Sequence, residues 1–231
     1  MNSFPHNILS IGNVYVDIKA FSYEEDGTEA YRDGTIELVP GGVGRGMAIN
    51  LSHLGMNTSI LSVVGKDIFG DFLRHGLEKE GIDTTLLRTS ENGRTALFSV
   101  MASAGSPASC IYCTDILKEI TIDSKVLEFI QKKNIDTLVL DSNLSEETFK
   151  KIYQLKEKKT LFIFQNATAP DIACKTLCYA PLIDLFACNE FEAAAIAKEE
   201  VKPDLDTVKK FRDLGFTNFI ITFGDQGVMV H

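Results

Sequence analysis

Four glycines stand within six residues of one segment, at positions 41, 42, 44 and 46. Glycine is used where φ must be positive or where another group must approach the backbone closely. A helical pattern of apolar residues follows the glycines, carried by Met47, Ile49, Leu51 and Leu54. A glycine-rich turn that opens onto a helix N-terminus presents unpaired N–H groups, which favour oxygen-rich or anionic ligands.

Two common phosphate-binding motifs do not fit this segment. The dinucleotide-binding fingerprint requires G-x-G-x-x-G directly after a strand, but Met47 stands where the third glycine belongs and Pro40 precedes the loop. A Walker A loop requires G-K-[ST], but the pair Gly65-Lys66 is followed by Asp67. An NAD-dependent oxidoreductase is therefore disfavoured.

The elements that must hold the glycine loop alternate along the chain between strands and helices. Near-continuous apolar runs are typical of strands buried in a parallel sheet. These runs are NILSIG, TSILSVVG, IDTLVLD, TLFIFQ, LIDLFACN and FIITFG. The predicted helices are 43–54, 69–80, 123–133, 145–157, 189–198 and 205–214. Such alternation predicts an α/β fold, a doubly wound and mostly parallel sheet with helices on both faces.

Two segments interrupt the alternation, at about residues 19–39 and 94–114. Both are polar or mildly alternating and contain turn residues, which is typical of hairpins. We interpret them as a small β-sheet lid over the carboxyl edge of the main sheet. The alternative is a pair of ordinary surface loops.

Composition excludes several classes of protein. The formal net charge of −9 argues against nucleic acid as the main partner, because binding a phosphate backbone requires clustered Lys and Arg. The first residues lack the pattern of a signal peptide, and no apolar run approaches the ~20 residues needed to span a bilayer. A cytoplasmic protein without membrane contact is the expectation.

The five cysteines are an odd number in a chain without a signal peptide, which indicates reduced thiols. A zinc site would need two tight pairs, and Cys110 and Cys113 form one. The second pair, Cys174 and Cys178, is spaced by three residues within a predicted helix. We therefore expect thiols rather than a metal site.

Four motifs in order resemble those of the ribokinase-like, PfkB-type family of carbohydrate and nucleoside kinases. They are IGNVYVD, PGGVGRGMAINLSHLG with the following SVVGKDIFGDFL, NEFEA and ITFGDQGV, and they extend over essentially the whole chain. Within that family, GGVGR and LDSNLSEET are most similar to pseudouridine kinases. The resemblance implies one ribokinase-like α/β domain over residues 1–231, and ATP-dependent phosphorylation of a hydroxyl on a sugar or nucleoside.

The resemblance also implies where the sugar or nucleoside would bind. Asp17 would accept hydrogen bonds from the sugar hydroxyls, and Gly41 and Gly42 would let the backbone close on the sugar. Asn143 would present a further polar group, with a simple helix-capping role as its alternative. Arg45 would contact the substrate or a phosphate, or would order the loop as a surface cation.

The nucleotide side is implied by the later motifs. Asn189 and Glu192 would organise Mg²⁺ and the phosphates of ATP, with Glu192 acting on the metal through water. The alternative is a capping Asn beside a solvated Glu. The strand end at Thr222, together with Gly224 and Gly227 of the following turn, would hold phosphate oxygens.

Three departures from the family pattern affect what the chain can do. Gly46 replaces a sugar-binding Asn, and Gln165 stands at a position that is acidic in relatives. The G-A-G-D signature, which carries the family's catalytic base and anion hole, has no counterpart before His231. We therefore expect the domain to be incomplete at its C-terminus and the base to lie beyond His231. The competing hypothesis is a non-catalytic sugar- or nucleoside-binding relative. In either case the lid edges could pair in a homodimer.

Overall fold

The computed structural model describes residues 7–25, 31–104 and 109–231. In chain order, the strands in these ranges are β1 (Asn7–Ile11), β2 (Tyr15–Glu25), β3 (Gly34–Gly41), β4 (Asn57–Gly65), β5 (Leu87–Ser90), β6 (Leu97–Ala104), β7 (Ser109–Cys113), β8 (Thr137–Asp141), β9 (Phe162–Asn166), β10 (Leu185–Asn189), β11 (Phe219–Thr222) and β12 (Val228–Val230). The α-helices are α1 (Val43–His53), α2 (Ile68–Lys79), α3 (Ser124–Lys132), α4 (Glu146–Lys158), α5 (Pro170–Ala173), α6 (Glu190–Ala197) and α7 (Leu205–Asp213).

The main sheet has eight strands in the order β12-β11-β10-β9-β8-β1-β4-β5. Every neighbouring pair is parallel except β11 with β12, which form an antiparallel pair at one edge. The central strands β4 and β8 are buried along almost their whole length, which is why their sequences are continuous apolar runs. The predicted α/β fold with a mostly parallel sheet is confirmed.

The order of the strands reverses at β1. From β1 the chain crosses to β4 and β5 on one side, and later returns to β8 and continues to β11 on the other. The carboxyl ends of β1 and β8 therefore lie side by side at a topological switch point, which is where open α/β sheets bind ligands.

All six predicted helices are present, with ends that differ from the prediction by at most one residue. Five of them begin at a side chain that accepts a hydrogen bond from the backbone N–H three residues further on, a capping arrangement that is local in sequence. The capping residues are Asp67, Asp123, Ser145, Asn189 and Asp204. The short strands β5 and β12, by contrast, were not predicted.

A second, separate sheet has four strands in the order β3-β2-β6-β7. Its two outer pairs are antiparallel and its central pair, β2 with β6, is parallel. A small sheet from the two interrupting segments is thus confirmed, although residues 26–30 and 105–108 of those segments lie outside the described residues. Its function as a lid stays a prediction.

The limits of this small sheet correct the sequence interpretation. Strand β2 begins at Tyr15 and β3 continues to Gly41, so both extend beyond the predicted range of 19–39. Asp17 consequently lies within β2 of the small sheet. The glycine loop follows directly from β3. The small sheet therefore positions both Asp17 and the glycine loop at the edge of the main sheet.

Within the described ranges, no group of three or more His, Cys, Asp or Glu side chains is arranged to hold a metal ion. Cys110 and Cys113 are three residues apart in β7, so they lie on opposite faces of the strand. None of the five cysteines forms a disulfide among the described residues. Cys188 is buried and the other four are exposed. In the same ranges, every helix is too short or too polar to cross a bilayer.

Candidate functional site

The first group of predicted residues lies where β2 meets the end of β3. A Cβ atom added to Gly41 would lie 2.6 Å from Asp17 Oδ2 and 2.6 Å from a ring carbon of Tyr15. A larger residue at position 41 would therefore have to displace the Asp17 carboxylate or the Tyr15 ring. Desolvation raises the pKa of Asp17, while Lys19 lowers it. Burial likewise raises the pKa of the Tyr15 hydroxyl, and the carboxylates of Asp17 and Asp141 raise it further.

The remaining glycines of the loop bring it against the end of β1. Gly42 has φ 106° and forms the N-cap of α1, and a Cβ there would lie 2.1 Å from the Asn13 carbonyl oxygen. A Cβ on Gly44 would lie 2.7 Å from the Gly12 Cα atom. The N-terminus of α1 is thus held in backbone contact with the loop that follows β1, which explains why glycines are required there.

Asp141 ends β8 and is fully buried at the switch point. Its Oδ2 accepts a hydrogen bond from the Asn13 N–H at 2.6 Å, and its Oδ1 accepts one from the Asn143 N–H at 3.0 Å. The Gly44 N–H donates a third. Burial raises the pKa of Asp141 to about 6, while these backbone hydrogen bonds oppose the rise. One carboxylate therefore joins the β1 loop, the glycine loop and the β8 loop.

Arg45 follows Gly44 in the first turn of α1, and Asn143 lies in the loop after β8. Arg45 Nη1 donates to the Pro40 carbonyl at 3.0 Å, so the side chain orders the glycine loop. Its Nε is buried and lacks a hydrogen-bond partner among the described residues. The N-cap of α4 is Ser145, so Asn143 does not have the capping role considered for it.

The second group of predicted residues lies further along the same edge of the sheet. Asn189 ends β10 and pairs in register with Thr222, the last residue of β11. The Asn189 side chain accepts from the Glu192 N–H at 2.9 Å, and the Glu192 carboxylate accepts from the Asn189 N–H at 2.8 Å. This is a capping box at the start of α6. Asn189 is therefore a cap, but Glu192 is 6% exposed rather than solvated, and desolvation raises its pKa.

The turn after β11 is open to solvent. Thr222 is exposed, and the following residues form a short turn in which Gly224 has φ 57° and Gly227 has φ 95°. A Cβ on either glycine would meet nothing within 4 Å, so the positive φ angles rather than crowding explain these glycines. An exposed hydroxyl beside a tight glycine turn is suited to phosphate oxygens.

The two groups lie on one edge of the sheet at a spacing set by the strands. Strand β9 separates β8 from β10, and neighbouring strands are about 5 Å apart, so Asp141 and Asn189 lie on strands separated by roughly 10 Å. Thr222 is one strand further along. This spacing is suited to a small ligand at the switch point and a polyphosphate extending past α6.

Gln165 and Gly46, which depart from the family pattern, lie in different surroundings: one is buried and the other faces open space. Gln165 is fully buried, accepts from the Tyr153 hydroxyl and donates to Ser142 Oγ at 3.1 Å, so it stabilises the interior. Gly46 faces open space, because a Cβ there would meet nothing within 4 Å. The structure therefore leaves room for a side chain where relatives carry Asn.

The first group also contains Asn13, Tyr15 and Asp141, which are not among the predicted site residues. The available signal was weak: Asp141 is a charged residue that ends an otherwise apolar strand. Its partner Asn13 is 128 residues away in sequence, and their proximity depends on the pairing of β1 with β8. Tyr15 carries no signal beyond its position two residues before Asp17.

Comparison with known proteins gives one family and several relatives. The profile of the pfkB family carbohydrate kinases matches residues 5–231. The chain is 27% identical over 228 residues to the pseudouridine kinase of Escherichia coli, covering 96% of this chain and 71% of that protein. It is 25% identical over 200 residues to the ribokinase of Haemophilus influenzae, covering 84% of this chain and 64% of that protein.

Solved structures agree on the fold. The structure of Arabidopsis thaliana ribokinase complexed with ribose and ATP superposes with a TM-score of 0.83 at 17% identity, covering 99% of this chain and 76% of that one. A carbohydrate kinase from Agrobacterium tumefaciens superposes with a TM-score of 0.82 at 24% identity, covering 95% of this chain and 70% of that one. At these identities the likeness concerns the fold alone.

Proposed function

The chain belongs to the pfkB family of carbohydrate kinases, and on that premise we propose that it binds a ribosyl substrate and ATP for transfer of a phosphoryl group to a sugar hydroxyl. The observation that carries this proposal is the division of one sheet edge into two groups. A carboxylate and a glycine loop lie near the switch point, a capping box lies two strands or about 10 Å away, and an open glycine turn lies one strand further along.

The sugar would bind at the first group. The Asp17 carboxylate would accept hydrogen bonds from vicinal hydroxyls, and Gly41 lets the sugar approach because it carries no side chain. Asp141 would act as a positioning residue, since its bonds to Asn13, Gly44 and Asn143 hold three loops in place. Phosphoryl transfer depends chiefly on such positioning together with charge stabilisation.

The phosphates would bind at the second group. The Thr222 hydroxyl and the turn at Gly224 and Gly227 would hold phosphate oxygens, and Glu192 would orient a hydrated Mg²⁺ near the N-terminus of α6. These residues fit the group, because the Thr222 hydroxyl is exposed and Glu192 is held rigidly by the capping box. When bound, ATP with Mg²⁺ would supply the phosphoryl group and neutralise its charge. No residue up to His231 is assigned as the base.

A nucleoside, and pseudouridine in particular, is the finer form of this proposal. The motifs GGVGR and LDSNLSEET support it, and so does the 27% identity to the pseudouridine kinase of Escherichia coli. In the structure, both motifs contribute to the hydrogen bonds of Asp141, through Gly44 and Asn143. Free ribose is the competing substrate.

The first prediction tests the sugar group. Asp17→Asn should weaken binding of pseudouridine or ribose about 10- to 100-fold, because a charge-assisted hydrogen bond is lost. Binding of ATP with Mg²⁺ should be unchanged. Titration calorimetry of the purified protein measures both, and Glu37→Gln, a carboxylate-to-amide change elsewhere in the small sheet, is the matched control.

Unchanged sugar binding in Asp17→Asn would contradict the proposed site. Thermal unfolding with each ligand distinguishes a kinase from a non-catalytic relative. A kinase should be stabilised by ATP with Mg²⁺ as well as by the nucleoside. A protein whose melting temperature responds to the nucleoside and not to the nucleotide would support the binding relative instead. Thr222→Val should reduce the nucleotide response while leaving the nucleoside response intact.

A further inference from the structure

Three aromatic rings form a row across the small sheet. The centroids of Tyr15 and Phe98 are 6.1 Å apart with an interplanar angle of 28°. Those of Phe98 and Tyr112 are 5.9 Å apart with an interplanar angle of 4°. We call these three side chains the aromatic row.

The register of the strands sets the aromatic row beside Asp17. Phe98 is the partner of Asp17 across β2 and β6, and Tyr112 is the partner of Phe98 across β6 and β7. Paired residues share a face of the sheet, and residues two apart do as well, so Tyr15 and Asp17 lie on this face too. Cross-strand neighbours are separated by about 5 Å between Cβ atoms, a distance comparable to the width of a furanose ring.

Burial indicates that the outer part of the row is not core. The buried apolar residues of the described ranges form two clusters; Tyr15 packs against the larger cluster, whereas Phe98 and Tyr112 belong to neither. Tyr112 is 64% exposed and Phe98 is half-buried. Two aromatic side chains are thus available next to the carboxylate that would hold the sugar.

We propose that Phe98 and Tyr112 form a subsite for a planar heterocyclic base, so that the substrate is a nucleoside rather than a free sugar. This inference rests on the proposed function, because it takes Asp17 as the sugar anchor. Because Phe98 is the cross-strand partner of Asp17, a base on the anomeric carbon of a sugar held at Asp17 would lie within reach of the row. Aromatic side chains bind bases of differing sequence through their π faces, so the subsite requires no specific hydrogen bond.

The test compares a nucleoside with a sugar that lacks the base. Titration calorimetry measures binding of pseudouridine, uridine and methyl β-ribofuranoside to the purified protein and to Phe98→Leu, Tyr112→Ala and Ile111→Ala. Ile111 precedes Tyr112, is 76% exposed and lies on the opposite face of β7, which makes it the matched control. Tyr112 is exposed, so its substitution should leave folding intact even if Phe98→Leu does not.

Tyr112→Ala and Phe98→Leu should weaken nucleoside binding about 5- to 140-fold, the range for loss of one base–aromatic stacking contact. Riboside binding should change less than twofold, and Ile111→Ala should leave the ratio of nucleoside to riboside affinity unchanged. Equal effects on nucleoside and riboside, or no effect on either, would overturn the inference.

Two further outcomes separate a failure of the proposed base subsite from a failure of the proposed function and from self-association. If Asp17→Asn leaves riboside binding unchanged, the proposed function fails and the subsite falls with it. If Tyr112→Ala alters only the sedimentation coefficient and not nucleoside affinity, the row pairs with a second copy of the chain and the inference is wrong.

Discussion

Asp141 is the residue at which three loops of the candidate site converge. A buried carboxylate is costly unless its oxygens accept hydrogen bonds, and here the donors are backbone N–H groups that cannot move independently of their loops. Gly12 makes the contact sterically feasible, because a Cβ there would lie 2.2 Å from Asp141 Oδ2. The identity of residue 12 is thus dictated by a side chain on another strand.

The raised pKa of Asp141, about 6 against an ordinary 3.8, makes stability depend on pH. The folded protein binds this proton more tightly than the unfolded chain, so the contribution is fully present below about pH 4 and is lost as pH rises through 6. A shift of this size corresponds to roughly 3 kcal/mol. Asp141→Asn cannot titrate, so the stability of the wild type relative to this variant should fall between pH 4 and 6.5.

Urea unfolding at a series of pH values measures this difference. Above about pH 7 the difference between wild type and Asp141→Asn should be constant. Asp71→Asn, at an exposed position of α2, should parallel the wild type throughout. A difference that does not vary with pH would show that Asp141 titrates in the folded protein as it does in the unfolded chain.

Among the elements, helix α2 shows how a short motif joins the two sheets. Asp67 caps α2 by accepting from the Gly70 N–H at 2.9 Å, and it also accepts from Thr95 Oγ1 at 2.6 Å and the Thr95 N–H at 2.8 Å. Thr95 lies just before β6 of the small sheet, and its hydroxyl accepts from the Gly65 N–H at 2.9 Å. The motif SVVGKDIFGDFL is therefore a structural junction in this protein.

Helix α1 allows a prediction from Gly44 and Gly46, which are two residues apart and have different surroundings. Gly46→Ala should stabilise the protein by about 0.5–1 kcal/mol, because glycine is unfavourable within a helix and the new methyl meets no atom within 4 Å. Gly44→Ala should destabilise it by about 1–3 kcal/mol, because its Cβ would lie 2.7 Å from the backbone of Gly12.

Urea unfolding at pH 7 measures both changes, and each variant is the control for the other because the substitution is identical. Changes of the same sign would contradict the close approach of α1 to β1. Gly44→Ala should also weaken nucleoside binding, since Gly44 donates to Asp141, whereas Gly46→Ala should not.

At the scale of the whole molecule, the small sheet has a second face that is apolar and exposed. Ile36, Leu38, Met101 and Ile111 are each at least 54% exposed. The strand register puts them on the face opposite Asp17. An exposed apolar face between two edge strands is typical of an association surface.

The predicted homodimer through the small sheet can be tested on this face. Sedimentation equilibrium should give a dimer for the wild type, and Leu38→Glu should give a monomer, because a charge would be buried in the interface. Lys125→Glu also introduces a glutamate, but on helix α3 outside the small sheet, and this variant should remain dimeric. A monomeric wild type at micromolar concentration would contradict the prediction.

Much of the fold could be predicted from the sequence because its signals are local. Continuous apolar runs indicated the buried parallel strands, and the capping residue Ser145 marked the start of α4 within one residue. Short edge elements such as β5 and β12 gave no comparable signal, since a strand of three or four residues has too little periodicity. The four ordered motifs were sufficient to identify the family, which the match over residues 5–231 confirms.

What only the tertiary structure decided are the contacts between distant parts of the chain. The sequence by itself determined that a glycine loop opens a helix, but not that its glycines accommodate Gly12, Asn13 and Asp17. It indicated that Asp17 matters, but not that the residue lies in the small sheet beside Phe98. The physical reason is that capping and periodicity act over a few residues, whereas these contacts depend on strand order and register, which the packing of the whole chain sets.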